Sequence, residues 1–242
     1  MIITLGKESI IHPNEYYQKD NFIYLPMQKN ASTWGKDFFT KIKWDKILYT
    51  NKENYEQSLV GKDIIIFLRE PINRWYSAVA QYFDLQEYII KDQEYILDKK
   101  LLDLIFSAVR IDNHSDLQIK WLLGLCLNKC TFFNIDDPLF EYSLHRFLHK
   151  NSLITTLEPL SKFKPTHTTE THIMKTSIIA QLKEQTKNNS HYLGSVTYFN
   201  SPDIEFFNWL KANDLFFKIE EYHHHYQVGH HVSSKLKQST KK

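Results

Sequence analysis

The chain has 242 residues, 42% hydrophobic and 24% charged, which supplies a sizeable core and excludes a disordered or collagen-like protein. Its 30 basic and 28 acidic residues leave a net charge of only +2, so no global basic excess marks a nucleic-acid or membrane-surface binder, and an anion site has to be local. Two cysteines, Cys126 and Cys130, make neither a disulfide framework nor a structural zinc set, and they read as reduced core thiols with no metal. The opening MIITLGKESIIHPNEYY lacks the basic and apolar regions of a leader peptide, and no stretch reaches the ~18 apolar residues of a membrane helix. The expectation is a cytoplasmic protein without a membrane span.

In chain order, Phe22-Ile23-Tyr24-Leu25-Pro26 is a short apolar run that predicts a strand. It is followed by the polar loop Gln28 to Thr33 and by Trp34, Phe38, Phe39 and Ile42 at helical spacing. Lys46-Ile47-Leu48-Tyr49 predicts a second short strand. Ile64-Ile65-Ile66-Phe67-Leu68, uninterrupted and β-branched, predicts a buried parallel strand. After Pro71 the apolar residues Ile72, Trp75, Tyr76, Val79 and Phe83 recur at three and four, the pattern of a helix with proline in its first turn. A helix around Leu117 to Leu127 and a strand Thr131 to Ile135 follow, then helices over Leu139 to His149, Thr171 to Lys187 and Asp203 to Ala212. Alternating strands and helices predict a single α/β domain with a central parallel sheet flanked by helices, spanning 1–221, and a loose His- and Lys-rich tail over 222–242. Ligands of such a sheet bind at the carboxyl ends of its strands, where the loops after Pro26 and Leu68 fall.

The first loop, Gln28-Lys29-Asn30-Ala31-Ser32-Thr33-Trp34, brings a lysine, two hydroxyls and the amides of a helix N-terminus to a strand end, which is the composition of an anion cradle. It departs from a Walker A loop, because the glycines are missing and Lys29 precedes Ser32 by three residues. Taken alone it reads equally as a polar loop with Ser32 or Thr33 as helix cap. The second loop places Arg69 where a nucleotide hydrolase has its magnesium-binding aspartate, followed by Glu70, Pro71, Arg74 and Ser77. Arginine cannot hold magnesium, but it grips a terminal phosphate bidentately. Only four of the 30 basic residues are arginine (Arg69, Arg74, Arg110, Arg146), which favours a choice for fork geometry over a solvated surface charge.

Together the two loops resemble those of the sulfotransferases that use 3′-phosphoadenosine 5′-phosphosulfate, PAPS. Lys29 to Trp34 is similar to that family's 5′-phosphosulfate loop, and Arg69-Glu70-Pro71 through Arg74 to Ser77-Ala78 is similar to its 3′-phosphate signature. Asp112-Asn113-His114-Ser115-Asp116-Leu117-Gln118 resembles the D-x-H-x-x-x-Q stretch of the carbohydrate and bacterial branch, and Tyr198 to Phe207 resembles that branch's ending. The resemblance implies a sulfotransferase fold like that of the P-loop nucleotide kinases, PAPS as donor and 3′,5′-ADP (PAP) as product. It implies Lys29 on the bridging and sulfuryl oxygens, with Asn30, Ala31, Ser32 and Thr33 lining the 5′-phosphate side. Trp34 then lies on the adenine side, and Arg69 and Ser77 hold the 3′-phosphate. The glycine-rich C-terminal nucleotide segment of the small-molecule branch is absent.

Sulfuryl transfer needs a base for the attacking hydroxyl, and His114 is the first choice because histidine titrates near neutrality. Asp45 and Glu53, between the two motifs, are its rivals. The expected activity is therefore sulfuryl transfer from PAPS to a hydroxyl, with a carbohydrate as favoured acceptor and Lys29 and His114 as catalytic residues. A P-loop kinase or hydrolase, or a nucleotide- or glycan-binding module without turnover, are the alternatives. The cluster Pro165 to His172 reads as a turn ending in a helix cap, and the histidines 223–225 and 230–231 read as a flexible tail.

Overall fold

An uninterrupted β-branched run such as Ile64 to Leu68 is stable as a strand only where both of its faces are covered. In the computed structural model, which describes residues 14–49, 52–85, 96–155 and 169–217, all five of these side chains are 2% exposed or less.

The elements are, in order, β1 (Glu15–Lys19), β2 (Phe22–Leu25), α1 (Ser32–Lys41), β3 (Asp45–Leu48), α2 (Lys52–Leu59), β4 (Asp63–Leu68), α3 (Pro71–Leu85) and α4 (Lys99–Ala108). Two short 3-10 helices, Gln118–Leu122 and Leu127–Lys129, lead into β5 (Cys130–Asn134), and the helices α5 (Phe140–Lys150), α6 (Thr169–Asn188), α7 (Ser190–Phe199) and α8 (Ser201–Ala212) follow. The five strands lie in the order β3-β1-β2-β4-β5. β2 pairs parallel with β4 and β4 with β5, while β1 runs antiparallel to both β2 and β3. The sheet of this single α/β domain is therefore mixed, which corrects the expectation of a parallel one. The reason is the hairpin: β1 and β2 are joined through Asp20 and Asn21, with Asp20 at φ 53°, and a two-residue turn cannot make the long crossover that a parallel pair needs.

Side chains alternate across the sheet. Ile64, Ile66 and Leu68 join Ile23, Leu25 and Phe132 beneath Trp121 and Leu122 of the first 3-10 helix and Phe207 and Leu210 of α8. Ile65 and Phe67, with Tyr24 and Phe133, face Phe38 and Phe39 of α1 and Leu144, Phe147 and Leu148 of α5. A third apolar cluster is built among α3, α4, α6 and α7, around Trp75, Val79, Phe106, Ile178, Leu182 and Val196. Asn189 separates α6 from α7 by capping the latter, its side chain accepting from the amides of His191 and Tyr192.

The α-helix expected around Leu117 to Leu127 is replaced by the two 3-10 turns. Ile119, Trp121, Leu122, Leu123, Leu125 and Leu127 are all buried and alternate with exposed Gly124 and Cys126 without helical spacing, and Gly124 at φ 83° breaks the segment. Cys126 is exposed and Cys130 half-buried, which corrects the expectation of core thiols. Among the described residues, no helix is long and apolar enough to cross a membrane.

Gly35 is needed for a close approach. Tyr24 is wholly buried and stacks on Phe39 with ring centroids 4.4 Å apart, and a Cβ at Gly35 would stand 2.9 Å from its Cε1 and nearer still to Cζ and the hydroxyl. Ordinarily, glycine to alanine inside a helix stabilises by about 1 kcal/mol. Here Gly35→Ala is expected to lower stability by roughly 1 to 3 kcal/mol, because the ring has nowhere to move. The buried Tyr24 hydroxyl has no hydrogen-bond partner among the described residues, so Tyr24→Phe is expected to be neutral or stabilising and to recover part of the loss in the double variant. Urea unfolding of the four proteins checks both signs; a Gly35→Ala variant more stable than the parent would contradict the packing described.

Candidate functional site

β2 and β4 are adjacent and parallel, so the loops leaving their carboxyl ends emerge side by side. The first runs from Pro26 to Ala31 and enters α1. Lys29 at φ 64° and Ala31 at φ 54° both adopt the left-handed conformation without glycine, at a cost of about 1 kcal/mol each. The cap of α1 is Ala31, which offers no side-chain bond, so neither Ser32 nor Thr33 caps the helix as the bland reading of the loop had it. The first-turn amides of α1 are thus left for a partner from outside the helix. Ser32 is partly buried and Thr33 exposed.

The second loop leaves β4 through Arg69 and Glu70. The Glu70 carboxylate caps α3, accepting from the amides of Ile72 at 3.2 Å and Asn73 at 2.8 Å. Arg69 Nε lies 3.2 Å from Asp136 Oδ1, and the other oxygen of Asp136 accepts the Glu70 amide at 2.8 Å. Asp136 comes from the carboxyl end of β5, so the three parallel strands all deliver polar residues to one end of the sheet.

Arg74, Ser77 and Gln81, three and seven apart on α3, form a single face, as their spacing predicts. That face meets the first loop, buried at Arg74 and partly exposed at Ser77 and Gln81. Arg74 is 1% exposed; its Nε donates to the Gln28 carbonyl at 3.3 Å and its Nη1 to the Asp116 carbonyl. Gln81 Oε1 accepts from Lys29 Nζ at 2.7 Å. Ser77, partly buried, stands between them. Burial pulls the Arg74 guanidinium below its usual pKa, partly offset by Asp203, Asp116 and Asp112. Gln28 Oε1, Asn30 Oδ1 and Arg74 Nη2 are buried here and have no hydrogen-bond partner among the described residues.

The segment 112–119 closes the cluster. His114 sits in a turn built on Asp112, whose carboxylate accepts the amides of His114 and Ser115 and meets His114 Nδ1 at 2.9 Å. Asp116, buried, is held by Arg110 at 3.0 Å and Lys120 at 3.1 Å. Gln118 spans both loops: its Oε1 accepts from Asn30 Nδ2 at 3.0 Å and its Nε2 donates to the Arg69 carbonyl at 2.9 Å. The amides of Gln118 and Ile119 donate to the two oxygens of Asp203, at 2.7 and 2.8 Å.

Of the residues singled out from the sequence, Lys29, Asn30, Ala31, Ser32, Thr33, Arg69 and Ser77 come to one end of the sheet, and His114 is joined to them through its neighbours Asp116 and Gln118. Trp34 is partly buried and packs against the core beside Phe38, Phe67 and Phe140, with its ring stacked on Phe38 at 5.1 Å. Asp45 opens β3 and is exposed; its register through Gln18 to Ile23 places it toward the opposite end of the sheet. The side chain of Glu53, residues 165–168 and the tail 222–242 lie outside the described residues, as do the side chains of Thr169 to His172, whose backbone begins α6. Gln118, Asp203, Asp136 and Asp112 escaped the sequence reading as site residues, although three of them belong to quoted motifs or neighbour one. Among the described residues, no group of three or more His, Cys, Asp or Glu is arranged to hold a metal.

Asp203 gives the network a pH signature. Burial raises its carboxyl to about 6 against Arg74 and the two amides, which act to lower it, while Asp116 adds to the rise. An acid whose folded-state pKa exceeds its unfolded value binds more protons when folded, so this residue's contribution to stability falls as pH rises from about 4 to about 6 and is level above that. Asp203→Asn is therefore expected to remove on the order of 2 kcal/mol of the change in unfolding free energy between pH 4.5 and pH 7, measured against the wild type by urea unfolding. An unchanged difference between the two pH values would mean that Asp203 does not titrate there.

Comparison with protein-family models, with curated proteins and with solved structures finds no match, so the chemistry of this site has to be argued from its own residues.

Proposed function

We propose that the protein transfers the sulfuryl group of PAPS to a hydroxyl of an acceptor, with a carbohydrate hydroxyl as the favoured one. The observation that carries this reading is the placement of its two motifs. The Lys29 loop and the Arg69 loop leave neighbouring parallel strands on the same end and are tied together through Gln81, Arg74 and Gln118. A donor with a phosphosulfate at one end of its ribose and a phosphate on the other needs two such anion sites at a fixed separation.

In this reading, the acceptor oxygen attacks sulfur in line, the bond from sulfur to the bridging oxygen of the 5′-phosphate breaks, and 3′,5′-ADP leaves. Negative charge gathers on that bridging oxygen, where Lys29 stabilises it; Gln81 fixes the ammonium at 2.7 Å. The first-turn amides of α1, with Ser32 and Thr33, take the 5′-phosphate, and Arg69 with Ser77 takes the 3′-phosphate. The acceptor's proton passes to His114. The Asp112 carboxylate at Nδ1 favours the tautomer protonated there, which leaves Nε2 as the basic nitrogen. Asp112 is then a positioning residue.

The first test is a thermal-shift comparison of 3′,5′-ADP with ATP plus magnesium. Stabilisation by 3′,5′-ADP is expected; stabilisation by ATP with magnesium alone would turn the reading toward a kinase or hydrolase. Arg69→Lys is expected to weaken 3′,5′-ADP by about 1.5 to 3 kcal/mol and 5′-AMP much less, because it removes a bidentate grip on one phosphate. Equal weakening of the two nucleotides would remove Arg69 from the 3′ side.

Turnover separates the two proposed catalytic groups from the binding ones. Lys29→Ala is expected to lower kcat roughly a hundredfold with a modest change in 3′,5′-ADP affinity. His114→Ala is expected to lower kcat and leave nucleotide affinity intact. Wild-type turnover in a folded variant of either residue would take that residue out of the mechanism.

A further inference from the structure

We propose that Gln118 is a positioning residue that sets the distance between the two anion loops, so that they bind one doubly charged nucleotide as a fixed pair and not as two independent sites. The inference rests on the PAPS reading given above and extends it to a residue that touches neither loop's ligand. Gln118 is 3% exposed, and both ends of its amide are committed. Asn30 Nδ2 can only donate and the Arg69 carbonyl can only accept, so Oε1 must face the first loop and Nε2 the second. A glutamine amide donates at one end and accepts at the other, as this bridge requires.

The brace has a fixed footing. The Gln118 and Ile119 amides lie on the two oxygens of the buried Asp203 carboxylate, at 2.7 and 2.8 Å, and Asp203 belongs to the first turn of α8, which packs under the sheet. Each loop keeps other anchors when the brace is cut. Arg74 and Gln81 still hold the first, and Asp136 and the Glu70 cap still hold the second. What is lost is the spacing between them. A ligand that engages both loops gains from that spacing as a pre-organised, intramolecular second contact, and a ligand that engages one loop does not.

The test is calorimetric titration of 5′-AMP and 3′,5′-ADP into the wild type, Gln118→Met and Gln118→Glu, each first checked for cooperative unfolding. Methionine keeps the volume and cuts both bonds; glutamate keeps the acceptor for Asn30 and loses the donor to Arg69. In the wild type 3′,5′-ADP is expected to bind more tightly than 5′-AMP. In both variants that advantage is expected to shrink at least tenfold while the affinity for 5′-AMP changes less than threefold. A loss shared equally by the two nucleotides, or an unchanged ratio, would overturn the role given to Gln118 while leaving the PAPS reading intact. A wild type that binds both nucleotides alike overturns the PAPS reading, and the proposal with it. If neither variant folds, Gln118 holds the fold and not the site, and the proposal is wrong.

Discussion

A carboxylate taken out of water has to find donors, and Asp203 finds two consecutive backbone amides. That requirement fixes more of this molecule than any single apolar contact. Both N–H groups belong to the first turn of the 3-10 helix Gln118–Leu122, so the carboxylate fixes where that turn begins and how it is oriented. The same turn directs the Gln118 side chain between two loops and places the Asp116 carbonyl on Arg74. A buried guanidinium and a buried carboxylate thus stabilise one another at a distance, through the segment they share.

The consequence for chemistry is a charged site in a nearly neutral protein. With a net charge of only +2 there is no long-range field to gather anions, so binding strength has to come from local donors aimed at fixed points. The arrangement is of that type. Lys29 is held by Gln81, Arg69 is steered by Asp136, and the first turn of α1 is left without a side-chain cap. The uncapped first turn of α1 and the left-handed backbone at Lys29 and Ala31 each cost some stability. Large apolar layers on both faces of the sheet supply the surplus that lets them persist.

The two kinds of basic residue divide the work by their geometry. Arg74 is buried and ties backbone carbonyls from two segments together, a task for a planar fork with several donors. Lys29 is a single point of charge on a flexible stem, held by Gln81, and in the proposed reaction it follows the charge that develops on one oxygen. The scarcity of arginine in the sequence pointed to fork geometry for both arginines of the second motif, with the 3′-phosphate implied for Arg69 alone, and burial gives Arg74 a structural task.

The sequence by itself determined the elements whose signal is local. Ile64 to Leu68 had to be a doubly buried strand because it offers no polar face, and α3 had to begin at Pro71 because proline suits a first turn and Glu70 caps it. The spacing of Arg74, Ser77 and Gln81 likewise put them on one face. Only the tertiary structure decided what that face meets, since the Gln28 carbonyl and Lys29 lie more than 40 residues away in the chain and no periodicity reports them. β1 was illegible for a related reason. Glu15 to Lys19 carries polar residues at its ends, and its place between β2 and β3 follows from the Asp20-Asn21 turn and from cross-strand pairing. Asp203 and Gln118 were equally hidden, because a buried polar group in a sequence looks the same as an exposed one until its partners, here 84 and 85 residues distant from Asp203, are brought against it.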